Sequence, residues 1–286
     1  MEKHHTHCLV CGSPEYGVLD TEYAHAYLVK CTSCGFVFGS RIPSETELSN
    51  HYAQYPRDNS ISPVTTRRYE ELLEQFEPYR RTNRMLDIGC GDGHFLATAK
   101  SKGWEVFGTE FTDEAVSIGH AKGIEMRKGK IQDWTDRGDF DVITSFEVLE
   151  HINDGIEHVS TIKKLLRNGG LFYFTTPNFD ALSRRVLGGK WKNIEYPEHL
   201  SYYTAKSMNR LLVSCGLKRL TLITTGLAFR KSVAADSKPS SHAGSEENLR
   251  VAVEKNKVLQ LVKSLVNRSV NALKIGDTLK GYYVKT

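Results

Sequence analysis

Four cysteines fall within the first 34 residues as two Cys-x-x-Cys pairs, Cys8/Cys11 and Cys31/Cys34, nineteen residues apart. Glycine follows each pair (Gly12, Gly35) and admits the tight turn that aims two thiolates at one ion. This is the spacing of a four-cysteine zinc site, and four thiolates close a tetrahedron, so the expected Zn2+ is structural. Two disulfides, or a redox pair, are the competing readings; no apolar leader follows Met1 to favour an oxidising compartment. His4, His5 and His7 are surplus to such a site, and Cys90 and Cys215 read as small apolar residues.

A second constellation is Asp87-Ile88-Gly89-Cys90-Gly91-Asp92-Gly93. The dinucleotide fingerprint G-x-G-x-x-G would place its third glycine at position 94, which is histidine here. Alternate glycines let backbone approach a ligand closely without committing a helix N-terminus to a pyrophosphate. That suits S-adenosylmethionine, which carries no phosphate; the lesser reading of the loop taken alone is a tight strand-to-helix turn. Glu110 lies 21 residues beyond Gly89, where an acid accepts hydrogen bonds from two vicinal ribose hydroxyls. Asp133, between Ile131 and Trp134, is placed to accept the adenine amino protons while its apolar neighbours sandwich the base. The segment Glu195-Tyr196-Pro197-Glu198-His199 contains a histidine able to titrate near neutrality, and His199 is the favoured general base. Its alternative role is to tie the loop ahead of a helix starting near Thr204. Tyr196, with Tyr202 and Tyr203, lines the acceptor pocket or packs.

These residues need a frame that delivers them to one place. Residues 1–41 read as a zinc ribbon, with short strands at 27–30 and 36–38. Residues 42–83 read as a helical linker or lid, with a Ser-capped helix carrying Leu48, Tyr52 and Tyr55, then a helix over 67–79. From Arg84 to the end, strands at 85–88, 105–109, 124–127, 140–146, 171–175 and 217–224 alternate with helices at 95–102, 113–122, 153–167 and 205–215. Such alternation predicts an α/β, Rossmann-like doubly wound sheet with helices on both faces. Residues 232–246 read as a mobile loop, 248–274 as an amphipathic helix, and 278–284 as the last strand.

Composition narrows the partners. The chain has 286 residues, 40% of them hydrophobic and 25% charged, which argues for a soluble globular protein. The longest run without Asp, Glu, Lys or Arg is Asn168–Phe179, twelve residues, well short of the ~20 a membrane helix needs. A cytoplasmic location is expected. Residues 230–286 hold eleven basic and five acidic residues, so the overall +4 leaves −2 for everything before them. A ribbon and catalytic body that are not basic argue against a nucleic-acid partner. The basic helix over 248–274 packs on the domain or makes a homodimer contact, with peripheral membrane docking as the alternative.

Together the glycine loop, Glu110 and Asp133 resemble class I S-adenosylmethionine-dependent methyltransferases. Phe140-Asp141-Val142-Ile143, Glu147-Val148-Leu149-Glu150-His151, the Leu165–Gly170 run and Thr175–Asn178 look like that family too. The resemblance implies that the last strand runs antiparallel in an otherwise mostly parallel sheet. It places Asp87, Gly89 and Gly91 at the methionine end of the cofactor, Glu110 at the ribose and Asp133 at the adenine, with Glu147 also on the cofactor. His151, at a helix start, orders the cofactor loop. The 195–204 segment resembles P-x-H-L-x-x-[FY]-[ST] of methyltransferases acting on sugars and quinones. A zinc ribbon ahead of this domain looks like sugar methyltransferases of polysaccharide and deoxysugar biosynthesis. Carbon methylators of that group carry a further C-terminal domain, whereas this chain ends after the last core strand. O-methylation of a sugar hydroxyl is therefore expected, with a nitrogen acceptor, a quinone-like phenol or RNA as alternatives. A ribbon that simply binds nucleic acid is the reading from another class.

Overall fold

The computed structural model describes residues 2–52, 61–134, 136–228 and 257–286, with side chains described except at 49, 50, 52 and 257–263. The expected loop over 232–246, the start of the helix over 248–256 and Tyr55 lie outside the described residues.

Five short strands open the chain: β1 (Lys3–His4), β2 (Tyr16–Val18), β3 (Leu28–Cys31), β4 (Val37–Gly39) and β5 (Arg41–Ile42). Two helices follow, α1 (Glu45–Tyr52) and α2 (Pro63–Phe76). Ser44 and Glu47 bond reciprocally at the start of α1, a capping box. Helix α2 starts four residues ahead of the sequence expectation because Ser62 caps Thr65 N and Pro63 is preset for the first turn.

The catalytic frame is β6 (Arg84–Ile88), α3 (His94–Ser101), β7 (Glu105–Glu110), α4 (Asp113–Ala121), β8 (Glu125–Lys128), β9 (Phe140–Phe146), α5 (Gly155–Leu165) and β10 (Leu166–Pro177). Then come α6 (Leu182–Leu187), β11 (Ser201–Tyr202), α7 (Ala205–Ser214), β12 (Leu217–Thr225), α8 (Lys257–Ala272) and β13 (Thr278–Lys285). Seven strands form one sheet in the order β12-β13-β10-β9-β6-β7-β8. The β9, β6, β7 and β8 neighbours, and β10 against β9, are parallel. Only β13 runs antiparallel, inserted between β10 and β12. The fold is thus the expected α/β Rossmann-like sheet with an antiparallel last strand.

Strand alternation sorts the core into two faces. Met85, Val142, Leu171 and Tyr173 pack with Leu73 and Phe76 of α2 and with Phe95, Leu96 and Ala99 of α3. Leu86, Ile88, Ile143, Phe172 and Phe174 pack with Val159 and Ile162 of α5 and Met208 and Leu211 of α7. This second face does not stop at the frame. Cys8, Cys31, Cys34, Phe36 and Phe38 belong to the same buried cluster.

The reason lies in the second sheet, ordered β11-β4-β3-β2. Strand β11, from the loop after β10, pairs antiparallel with β4 (Ser201↔Phe38, Tyr202↔Val37). No sequence pattern announces a two-residue strand whose residues pair 163 and 165 positions away. The helix over 257–272 touches the frame through Val270, the Thr224 hydroxyl on Val270 O, and Asn271 and Asn267 on the Thr224 and Gly226 amides. Leu265 and Val266 on it are exposed, as is Leu273 just beyond its end. No helix among the described residues is long and apolar enough to cross a membrane.

Candidate active site at the strand carboxyl ends

The loops after β6, β7, β9 and β10 converge at one end of the sheet. Asp87, next to last in β6, is 2% exposed, and its Oδ1 accepts the Thr144 hydroxyl at 2.7 Å. Burial, reinforced by the nearby charge of Glu110, pushes its carboxyl up to about 7 against the Thr144 bond. Gly89, Gly91 and Gly93 all have positive φ (+65°, +53°, +72°), a conformation cheap only for glycine. A Cβ on Gly89 would lie 2.6 Å from Val148 Cγ2, whereas one on Gly91 would meet nothing within 4 Å. The loop is therefore closed on its Val148 side and open at Gly91.

Glu110 does more than end β7. Its Oε2 accepts Gly91 N at 3.1 Å and its Oε1 accepts Phe111 N at 2.9 Å. The Thr109 carbonyl and hydroxyl accept Cys90 N (3.1 Å) and Gly89 N (3.4 Å). Asp87, Gly89, Gly91 and Glu110 are thus brought together at one end of the sheet. Two members lacked any sequence signal: Thr144, and Phe111, an aromatic ring left 51% exposed beside Glu110.

Asp133 sits in a 3-10 turn over 131–133, and its Oδ2 accepts Lys130 N at 3.1 Å. The expected sandwich around the base is not formed by its neighbours. Ile131 and Trp134 are both 1% exposed and pack in the core, Trp134 edge-on to Phe107 and Phe140 with Arg127 over its face. Their apolar surface is worth more against the sheet than at a pocket mouth; the exposed ring is Phe111.

Glu147, at the carboxyl end of β9, has φ +53° and is pinned by Glu147 N on Thr175 O at 3.0 Å. Open to solvent yet hemmed in by protein, its carboxyl is pushed above the ordinary range by desolvation. His151 Nε2 lies 3.1 Å from Glu147 O and its Nδ1 3.0 Å from Glu198 O. This bracket joins the loop after β9 to the 195–199 segment.

His199 Nδ1 lies 2.9 Å from Asn193 O, so the neutral ring donates there and Nε2 is left with its lone pair. Its ring stands edge-on to His151 at 4.9 Å. Burial, then the His151 ring, push His199 down to about 4. Glu198, 4% exposed, accepts His51 Nε2 of α1 at 3.0 Å, and His51, Glu195 and Glu198 lie close together. A single histidine on a polar helix gave no sign of this contact. Tyr196 faces the other way, edge-on to Tyr27 at 5.0 Å, with the Arg41 guanidinium 5.3 Å from both rings. Its hydroxyl is buried without a partner.

Among the N-terminal strands the four thiols converge. Cys8 Sγ lies 3.5 Å from Cys34 Sγ, and Cys11 Sγ 3.6 Å from Cys31 Sγ. All four ligand atoms are within 4.8 Å of one another. Gly12 N bonds Cys8 O and Gly35 N bonds Cys31 O, both at 2.9 Å, so the two knuckles share one turn. A tetrahedron with Zn–S bonds of ~2.3 Å has edges of about 3.8 Å, and the donor set fits a structural ion.

The sheet order, the glycine loop and an acid at the end of β7 define the Rossmann-like methyltransferase class. A protein-family model described as "Methyltransferase domain" matches residues 61–222, and the chain belongs to that family. A SAM-dependent methyltransferase from Archaeoglobus fulgidus shares the fold at TM-score 0.53 and 17% identity, covering 85% of this chain and all of its own. The chain is 29% identical over 118 residues to a ubiquinone biosynthesis O-methyltransferase of Aromatoleum aromaticum, covering 38% of this chain and 50% of that one. It is 30% identical over 124 residues to a trans-aconitate 2-methyltransferase of Mycolicibacterium gilvum, at 42% and 48% coverage. The chain spans about half the length of these curated relatives.

Proposed function

We propose that the protein transfers the methyl group of S-adenosylmethionine to a hydroxyl of a small acceptor, with a sugar hydroxyl as the first candidate. The observation that carries this is the opposition of two walls. Asp87, the glycine loop and Glu110 are tied to one another at the carboxyl ends of β6 and β7, and the 195–199 segment, bracketed to the loop after β9 through His151, presents a neutral histidine. The cofactor supplies an activated methyl on a sulfonium. Asp87, Gly89, Gly91, Glu110 and Glu147 hold it, with Asp133 toward the adenine. His199 Nε2 takes the hydroxyl proton as the oxygen attacks, while Asn193 O fixes the tautomer that leaves Nε2 free. Tyr196 supports the segment from the ribbon side.

The acceptor wall favours a polyhydroxyl partner: Glu195, Glu198, His51, His151 and His199 offer several hydrogen-bonding groups in one small area. A phenolic acceptor is the second reading, supported by the ubiquinone-pathway relatives. RNA is disfavoured, since the β4 edge of the ribbon is already paired with β11. We further propose one structural Zn2+ on Cys8, Cys11, Cys31 and Cys34. Incubation with labelled cofactor and parallel panels of nucleotide sugars and catechols, with product mass determined, tests the reading. Methylation confined to the catechols would replace the sugar assignment. His199→Ala should lower turnover about 10²–10⁴-fold while leaving cofactor affinity nearly intact; unchanged turnover would move the base elsewhere.

A further inference from the structure

The ribbon touches the 188–203 segment along its whole length. At one end, Glu22 accepts Gly189 N at 3.0 Å, and a Cβ on Gly189 would lie 2.1 Å from Glu22 O. In the middle, Tyr27 and Arg41 close over Tyr196, and Tyr23, Leu28 and Val37 bury Trp191 and Ile194. At the far end, Gly39 N donates to Leu200 O at 2.8 Å, β4 pairs with β11, and Phe36 lies 5.0 Å from the Tyr203 ring. Opposite the ribbon the same segment hangs on the loop after β9, through Leu200 N on Glu150 O (2.8 Å) and Ser201 Oγ on Ile152 O (3.1 Å).

The cysteines enter this through covalent connectivity. Cys31 ends β3, Cys34 precedes β4 by three residues, and the knuckle between them is the turn of the β3–β4 hairpin. Whatever fixes that turn fixes the edge on which β11 pairs, and β11 begins two residues after His199. The Tyr202 hydroxyl, on β11 itself, donates to His199 O at 3.0 Å. The cofactor pocket is braced differently, by Thr109, Thr144 and Glu110.

We propose that the ribbon is a structural half of the acceptor site: the hairpin pinned by the four cysteines supplies the strand that holds the Glu198–His199 loop in register, and Arg41 is a positioning residue for that loop. This rests on the reading of 195–199 as the acceptor wall, and its test does not require an acceptor. In the full-length protein, bound metal would be released with a chelator and followed by elemental analysis. Amide exchange would then be compared between residues 188–203 and residues 84–110, and cofactor affinity measured by calorimetry. Release should speed exchange at Tyr202, which pairs with Val37, by about tenfold or more while changing cofactor affinity by less than about threefold. Unchanged protection at Tyr202 after complete release would overturn the proposal, as would a parallel collapse of cofactor binding or a purified protein without metal. Because stripping can unfold a chain, Arg41→Gln provides a route that leaves the cysteines intact. It should keep metal content and cofactor affinity, yet shift the His199 imidazole titration followed by NMR. An unmoved titration would sink the positioning role. Failure of every acceptor panel, with these shifts present, would instead count against the methyl-acceptor assignment.

Discussion

Asp87 holds a proton near neutrality because it is buried beside Glu110 with one neutral donor, Thr144. A cofactor carrying an ammonium and a sulfonium favours its ionised form. Cofactor affinity should therefore strengthen as pH rises from about 6 to 8, and Asp87→Asn should flatten that dependence; calorimetry at the two pH values checks both. Glu110 braces Gly91 and Phe111 through the same two oxygens proposed to meet the ribose. Glu110→Ala should weaken cofactor binding by about 2–3 kcal/mol, roughly a hundredfold. An unchanged dissociation constant would refute its placement.

Among the elements, the amino end of β9 is tied down by one charge. Asp141, fully buried, accepts Arg81 N and Asn83 N at 2.7 Å each from the turn before β6, and pairs with Arg167 of β10. Three strands of the sheet are thereby fastened at the end remote from the site. Asp141→Ala leaves Arg167 uncompensated and two amides unpaired, and should cost about 3–5 kcal/mol in urea unfolding. Turnover per folded molecule should be little changed. The strands themselves were legible: β6, β7, β9 and β13 fall within a residue or so of their expected spans. Strand β10 was not, since Leu166 already pairs with Phe140 before a bulge returns the register at Leu171. The glycines at 169 and 170 that permit the bulge look, in sequence, like the end of a helix.

Across the molecule, buried titratable groups oppose one another. Burial pushes His158 and His199 down to about 4, so each binds a proton more readily when unfolded. Their contribution is fully present above the unfolded value near 6.5 and is lost as pH falls toward 4. Asp87 works in the other direction, its stabilising proton being lost as pH rises through about 7. The cofactor-free stability profile is the difference of these sets. His158→Gln should shift the balance by up to about 3 kcal/mol in favour of the variant between pH 7 and pH 4.5, measured by urea unfolding at both. Equal shifts in both proteins would show that His158 binds its proton equally well folded and unfolded, and would overturn the effect of its burial.

The sequence by itself determined the repeating strand–helix order, the glycine loop with its two carboxylates and the paired cysteines. Each of these is encoded locally, by spacing, period or turn chemistry. Only the tertiary structure decided that Trp134 belongs to the core and Phe111 stays exposed beside Glu110, because that choice depends on which surface the sheet covers. It alone placed His51 on Glu198 and β4 on β11. Those contacts join residues more than 140 positions apart, and nothing in either partner's neighbourhood encodes the other. The ribbon reads as a separate module in sequence; strand pairing makes it continuous with the loop that carries His199.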